Sequence, residues 1–152
     1  MWHIRPDDLS DDVTRALVRE HLAHMHAQTP SESVHALDLA ALQRSGVTVY
    51  SAWEGETLGG IGAVQRLDAQ RGELKSMRTT VEARGRGAGR ALLKHIMHAA
   101  RVEGFTSLWL ETGVEDTFTA ARSLYASEGF VECEPFADYV DDPLSVFMTR
   151  SL

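Results

Sequence analysis

The chain is poor in cysteine. Cys133 is the only one among 152 residues, so no internal disulfide can form, and a reducing compartment is the simple reading. Proline is scarce as well, with four in all, and no long polar tract occurs. With 43% hydrophobic and 24% charged residues, the composition is that of a globular chain rather than a disordered one. No apolar run reaches the roughly 18 residues that a bilayer span requires. The opening stretch MWHIRPDD has no apolar segment of the signal-peptide kind. A cytoplasmic protein is expected. Positive charge is in deficit: 15 Lys and Arg against 22 Asp and Glu leave a formal net charge of −7. Such a chain repels phosphate backbones, which argues against nucleic acid as the main partner and against any basic patch that is not local. An acidic surface mildly favours cationic substrates.

What is present reads as one domain, residues 1–152. A chain of this length can bury roughly 70% of the surface its unfolded form exposes. WHIRP suggests a short strand stopped by Pro6, and the acids from Asp7 to Asp12 suit a helix start. Val13, Leu17, Val18, Leu22 and Met25 lie at helical spacing, with Pro30 beyond them. SESVHALDLAALQRSG predicts a second, shorter helix, capped by Ser31 or Ser33 and closed by Gly46. VTVYSAWEGETLGGIGAVQRL reads as a hairpin turning at EGET, and GELKSMRTTV as a further strand. A helix with Leu92, Leu93, Ile96, Met97 and Ala100 on one face follows, then the apolar strand SLWLETG. EDTFTAARSLYASEG predicts a helix, and FVECEPF and SVFMTRSL the last strands. The order β-α-α-β-β-β-α-β-α-β-β implies a mixed α/β sheet with a parallel pair in the middle.

Between the third long strand and the long helix lies RGRGAG, residues 84–89. One glycine would serve a tight turn with solvated arginines. Gly85, Gly87 and Gly89 on alternate positions strip side chains from the bend, so that another group can approach the amides closely. A helix N-terminus leaves about four N–H groups unpaired and carries roughly half a positive charge, which suits an anion. Arg84, Arg86 and Arg90 add guanidinium forks that fit phosphate oxygens. A P-loop is excluded, because Gly89 is followed by Arg90 and Ala91 rather than Lys and Ser or Thr. A dinucleotide fold needs G-x-G-x-x-G, and here the pattern is one residue short. Glu111 does stand about 20 residues on, where a ribose-binding acid belongs. A module that senses CoA or a dinucleotide without catalysis is therefore the alternative to an enzyme.

The segment Arg84-Gly85-Arg86-Gly87-Ala88-Gly89 resembles the R-x-x-G-x-G/A element of the GNAT superfamily of N-acetyltransferases, and SLYASEGF resembles its L-Y-x-x-x-G-F segment. ESVHALDL, ELKSM, LETG and DPLSVFM are similar to the YsnE-type branch. The resemblance covers nearly the whole chain. It implies the GNAT-type acyl-CoA N-acyltransferase fold: an α/β domain with a mixed twisted sheet of six to seven strands, flanked by about four helices. It further implies acetyl-CoA as cosubstrate and direct attack by a small-molecule primary amine, and it allows a homodimer. By that resemblance the diphosphate lies on residues 84–90, including Ala88. The backbone around Met77 and Thr79 holds the acetyl group and the pantetheine arm, and SMRT carries a local irregularity where the strand splays from its neighbour. Tyr125 donates to the departing sulfur. Glu73, where several members place a base, and Glu111 are the candidate bases. Phe118 stands where the family often has an asparagine seven residues before the tyrosine, so one contact to the arm is lost.

Each of these residues also has a plainer reading. Glu73 could be an exposed acid at a strand start, Glu111 a buried acid paired with an arginine, and Tyr125 a core aromatic packed on Phe130. His35, Asp38, Tyr139, Asp142 and Ser145 are candidates for the acceptor lining, with Asp142 and Pro143 alternatively serving a turn. The pairs His21/His24 and His95/His98 could each share a helix face, but neither belongs to an H-E-x-x-H pattern, and no metal is expected. Cys133 has no activating neighbour in the sequence and reads as a strand residue.

Overall fold

The apolar spacing of residues 13–25 does form a helix, α1 (Asp12–Gln28), in the computed structural model, which describes residues 1–152. Asp11 caps it by accepting from the Val13 amide, and Asp12 sits in the first turn, where the peptide dipoles favour negative charge. Before it lies β1 (His3–Pro6). The hairpin is β2 (Val47–Glu54) and β3 (Thr57–Arg66), turning through Gly55 at φ 62°. Then come β4 (Arg71–Thr79), α3 (Ala88–Val102) and β5 (Ser107–Gly113). The sheet has seven strands once the C-terminal β6 (Val131–Glu132) and β7 (Ser145–Ser151) are added, in the order β1-β2-β3-β4-β5-β7-β6. Every neighbouring pair is antiparallel except β4–β5.

Two apolar layers cover the sheet. On one face Leu92, Leu93 and Ile96 of α3, all fully buried, pack on Tyr50, Leu74, Leu108 and Leu110. On the other, Leu17 and Val18 of α1 pack on Val49, Trp53 and Ile61. Alternate residues of β2 thus feed opposite layers, which is the period of two expected of a central strand.

Three sequence expectations need correction. The segment 31–46 is not one helix. It is a 3-10 turn at Ser31–Ser33, an extended stretch, and a single turn of helix, α2 (Leu39–Leu42). The cap of α2 is Asp38, which accepts from the Ala41 amide, and not Ser31 or Ser33. Tertiary bonds hold the segment open: Ser33 Oγ donates to Asp142 at 2.6 Å, and the His35 carbonyl accepts from Lys75 at 3.0 Å. The helix predicted from residue 115 starts later. A 3-10 turn, Asp116–Phe118, precedes α4 (Thr119–Ser127). FVECEPF contributes only two strand residues, because Pro135 has no N–H to continue the ladder. Phe136 turns inward instead and packs on Trp109, Tyr139 and Phe147.

Candidate active site

The strands β4 and β5 run together for three residues only, ending at Glu73↔Trp109. Beyond that point they part, and β4 from Leu74 onward presents a backbone edge with no strand partner on that side. The cause is visible in β3. Its register against β4 slips between Ile61 and Ala63, where β4 carries an extra residue, and Ser76 takes the left-handed conformation at φ 57°. The irregularity predicted for SMRT is therefore present. Gly62 makes room for it, since a Cβ there would lie 2.5 Å from the sulfur of Met77. The opening is a narrow cleft between the parted strands, α1 and α4. Met77, Glu111, Phe118, Tyr125 and His35 all line it.

Past the cleft, the free edge of β4 runs on to Thr79, beside the first turn of α3. The amides of Gly85, Gly87, Ala88, Gly89 and Arg90 have no backbone acceptor, and no side chain caps the helix. The three glycines differ in role. Gly85 and Gly87 have φ of 74° and 87°, which only glycine adopts freely, while Gly89 lies in the first helical turn. A Cβ on Gly89 would meet Leu124 and Thr79 Oγ1 at ordinary contact, 3.4 Å, so nothing within the chain requires glycine there. The three arginines differ in their partners. Arg86 is bound to Glu54 at 2.5 Å and lies over the ring of Trp2, and Arg90 is bound to Glu128 and to Ser127 Oγ. Of the three, Arg84 alone has no ion pair in the structure.

The candidate acids separate. Glu111 faces the cleft, and burial pushes its carboxyl up to about 7. The Ser145 hydroxyl and Lys75 partly oppose that rise. Ser145 Oγ lies near the carboxylate but forms no hydrogen bond of full geometry, so its help is weak. Glu73 is not an exposed strand-start acid: it is 4% exposed. Its Oε2 accepts from Tyr139 Oη at 2.5 Å and from Lys75 Nζ at 3.3 Å. Both donors hold it behind the cleft wall rather than in it. The Tyr125 ring packs 5.8 Å from Phe130, yet the residue also lines the cleft, so the packing and functional readings are compatible. Burial raises its phenol well above the ordinary value.

Among the expected acceptor residues, His35 and Tyr139 meet edge to face at 4.9 Å, and Ser145 stands beside Glu111. Asp38 is exposed and serves as a helix cap, away from the cleft. Asp142 accepts from Ser33 and from the Leu144 amide, which ties the 31–38 segment to the start of β7. Thr79 closes β4 near Gly89, at the α3 end. Two residues were not expected in the cleft. Lys75 crosslinks His35, Glu73 and Tyr139, and the charged pattern of ELK in a core strand was its signal. His21 lines the cleft, held neutral down to about 4 by burial and then by Arg78, and nothing in the helical pattern of α1 marked it.

The family model described as Acetyltransferase (GNAT) family matches residues 11–130, most of the chain. The chain belongs to the GNAT family of acetyltransferases. It is 48% identical to YsnE, an uncharacterized N-acetyltransferase of Bacillus subtilis, over 99% of both chains. It is 47% identical to YedL, an uncharacterized N-acetyltransferase of Escherichia coli, over 100% of this chain and 96% of that one. An IAA acetyltransferase of Azospirillum brasilense is 38% identical over 97% of this chain and 95% of its own. A Klebsiella pneumoniae structure assigned as an acyl-CoA N-acyltransferase aligns at TM-score 0.84 and 29% identity, over 100% of this chain and 98% of that one. The protein is thus an acyltransferase with the GNAT fold, and the seven strands and four helices are the architecture that the sequence resemblance implied.

The GNAT family uses acetyl-CoA, and the site of this acetyltransferase fits that group on its own geometry. Five free amides surround the bend, Gly89 leaves a side-chain-free surface that the fold itself does not need, and the β4 edge is unpaired along the cleft. Phe118 lines the cleft, and its ring lies so close to Gly113 that a Cβ there would be 2.4 Å away.

Proposed function

We propose that the protein moves an acetyl group from acetyl-CoA to the primary amine of a small molecule, by direct attack while both substrates are bound, in one domain spanning residues 1–152. One observation carries this reading. The β4 edge left unpaired by the parting of β4 and β5 runs from the cleft that Glu111 and Tyr125 line to Thr79, which stands beside Gly89 and the free amides of α3.

Acetyl-CoA brings an acyl carbon already activated as a thioester. The amides of Gly85 and of residues 87–90, with the Arg84 side chain, hold negative phosphate oxygens, each charge-assisted bond contributing about 1.5–3 kcal/mol. Arg86 and Arg90 act behind them, bracing the bend against Glu54 and Glu128. The free edge of β4 at Met77 and Thr79 orients the arm. Glu111 takes the proton that the acceptor ammonium must lose before its nitrogen can attack. An ordinary carboxylate lies about six pK units below an alkylammonium; a carboxyl near 7 narrows that gap to about three. Tyr125 gives a hydrogen bond or its proton to sulfur as the carbon–sulfur bond breaks. Glu73, fixed by Tyr139 and Lys75, positions the acceptor wall and is not the base.

The test is release of free thiol from acetyl-CoA in the presence of a pool of amines, beside thermal shifts with acetyl-CoA, CoA and NAD. Amine-dependent thiol release and stabilisation by acetyl-CoA are expected. Stabilisation by NAD in preference to CoA would overturn the assignment of the bend, and CoA binding without turnover by any amine would overturn the transfer.

A further inference from the structure

The two ends of the cleft's acceptor side differ in charge. Near β5 stands Glu111, with Glu73 and Asp142 close enough to act on it. Lys75 is there too, but its ammonium already donates to the His35 carbonyl at 3.0 Å, to Tyr139 Oη at 3.0 Å and to Glu73 at 3.3 Å. It has no proton left for a ligand. The opposite end, where α1 faces the bulge of β4, holds two arginines, Arg78 and Arg84, against one acid, Glu20, which pairs with Arg78. Arg78 acts on both His21 and His24, and Arg84 acts on His24.

Buried polar atoms without a partner fall at both ends. His21 Nδ1, Ser76 Oγ and Arg78 Nε are all orphaned, and His21 and Ser76 line the cleft. Arg78 reaches Glu20 through one terminal nitrogen at 3.1 Å, which leaves its Nε–H unmet. An unmet buried polar group costs about 1–3 kcal/mol, and a charged one more. His21 and Ser76 on the cleft wall, with Arg78 two residues beyond Ser76 in β4 and near enough to act on His21, suit one acceptor-rich anion. A fourth orphan, Ser145 Oγ, lies at the Glu111 end and can accept from an ammonium.

We infer that the acetyl acceptor is an amino acid or a similarly short zwitterion, whose carboxylate docks on Arg78, Ser76 and His21 while its amine faces Glu111. The inference rests on the acetyl transfer proposed above and extends it to the class of acceptor. A guanidinium Nε–H beside a hydroxyl and an imidazole fits a planar carboxylate. The opposed charges of the cleft orient a zwitterion one way only, and a polyamine would set a second cation against Arg78.

The experiment pairs each acid with its amide: glycine with glycinamide, phenylalanine with phenylalaninamide, and spermidine as a cationic control, with thiol release from acetyl-CoA as the readout. We expect the acids to exceed their amides by about tenfold or more in kcat/KM, the size of one lost charged hydrogen bond. Arg78→Gln should raise the acid's KM by a similar factor, shift acetyl-CoA KM by less than about twofold, and erase the preference for acid over amide. His21→Gln provides a second variant should Arg78→Gln fold poorly, and the wild-type comparison needs neither. Amides or spermidine preferred over acids would overturn the subsite, as would an Arg78→Gln effect confined to acetyl-CoA KM, which would give the arginine to the coenzyme's phosphates. Acetyl-CoA bound with no carboxylated amine turned over sinks the subsite alone, whereas no acetyl-CoA binding by calorimetry sinks the transfer reading with it.

Discussion

Buried near Ser145 and pushed up to about 7, the Glu111 carboxyl would link the proposed proton transfer to stability at a single residue. Unfolded, it titrates near 4.5. Below that value both states hold the proton. Between about 4.5 and 7 the unfolded chain releases it while the folded chain keeps it, so folding stability from this group falls as pH rises through that window. Glu111→Gln should therefore raise the melting temperature relative to wild type at pH 8 and have little effect at pH 4, as scanning calorimetry would read. The same change should lower kcat by about 100-fold or more, the usual share of a general base, and remove a rising limb near pH 7 from the wild-type kcat/KM profile. A wild-type profile flat through neutral pH would take Glu111 out of the proton transfer. Tyr125→Phe keeps the packing on Phe130 and removes only the hydroxyl. It should lower kcat by about tenfold or more with acetyl-CoA KM nearly unchanged. Unchanged kcat would reduce Tyr125 to a packing role.

At the scale of the element, the start of α3 separates what the fold needs from what a ligand needs. Gly87 has φ 87° with open space around its missing Cβ, so Gly87→Ala should strain the backbone, costing about 1 kcal/mol in denaturant titration. Gly89 is helical and has only ordinary contacts to spare. Gly89→Ala should leave stability unchanged or improve it by up to about 1 kcal/mol through helix propensity. It should nonetheless weaken acetyl-CoA binding in calorimetry, because the new methyl stands beside the free amides. Full retention of coenzyme affinity would show that no ligand approaches that turn. The bend itself was legible in the alternation of glycines, since a helix start with unpaired amides is a local property. The arginines were not legible in the same way. Arg86 and Arg90 looked equivalent to Arg84 in the chain, and only the packing of the β2–β3 hairpin and of α4 brings Glu54 and Glu128 to them.

Over the whole molecule, the site is a consequence of two strands that begin as neighbours and part. The slot proposed for the coenzyme spans β4, β5, α3 and α4, so a ligand filling it would join elements far apart in the chain. Saturating acetyl-CoA should raise the melting temperature, with about 2.7 kcal/mol of added stability at a concentration 100 times Kd. Added stability that does not grow with ligand concentration would argue against binding to the folded state. The irregularity in SMRT was implied only by the family resemblance, whereas the order of strands and helices, and the long helix with its glycine bend, could be read from spacing within about 20 residues. The extent of residues 31–46 and 130–136 could not. There, tertiary hydrogen bonds to Asp142 and Lys75, and an aromatic cluster around Phe136, outweigh weak local helix and strand preference. The sequence by itself determined the family, the glycine bend and the presence of Glu111 and Tyr125, since these are matters of residue type and near spacing. Only the tertiary structure decided that Glu73 is locked by Lys75 and Tyr139, that Asp38 is a cap, and that Arg78 and His21 end with unmet donors. Burial and long-range pairing set the electrostatics of a side chain, and neither is a property of its neighbours in sequence.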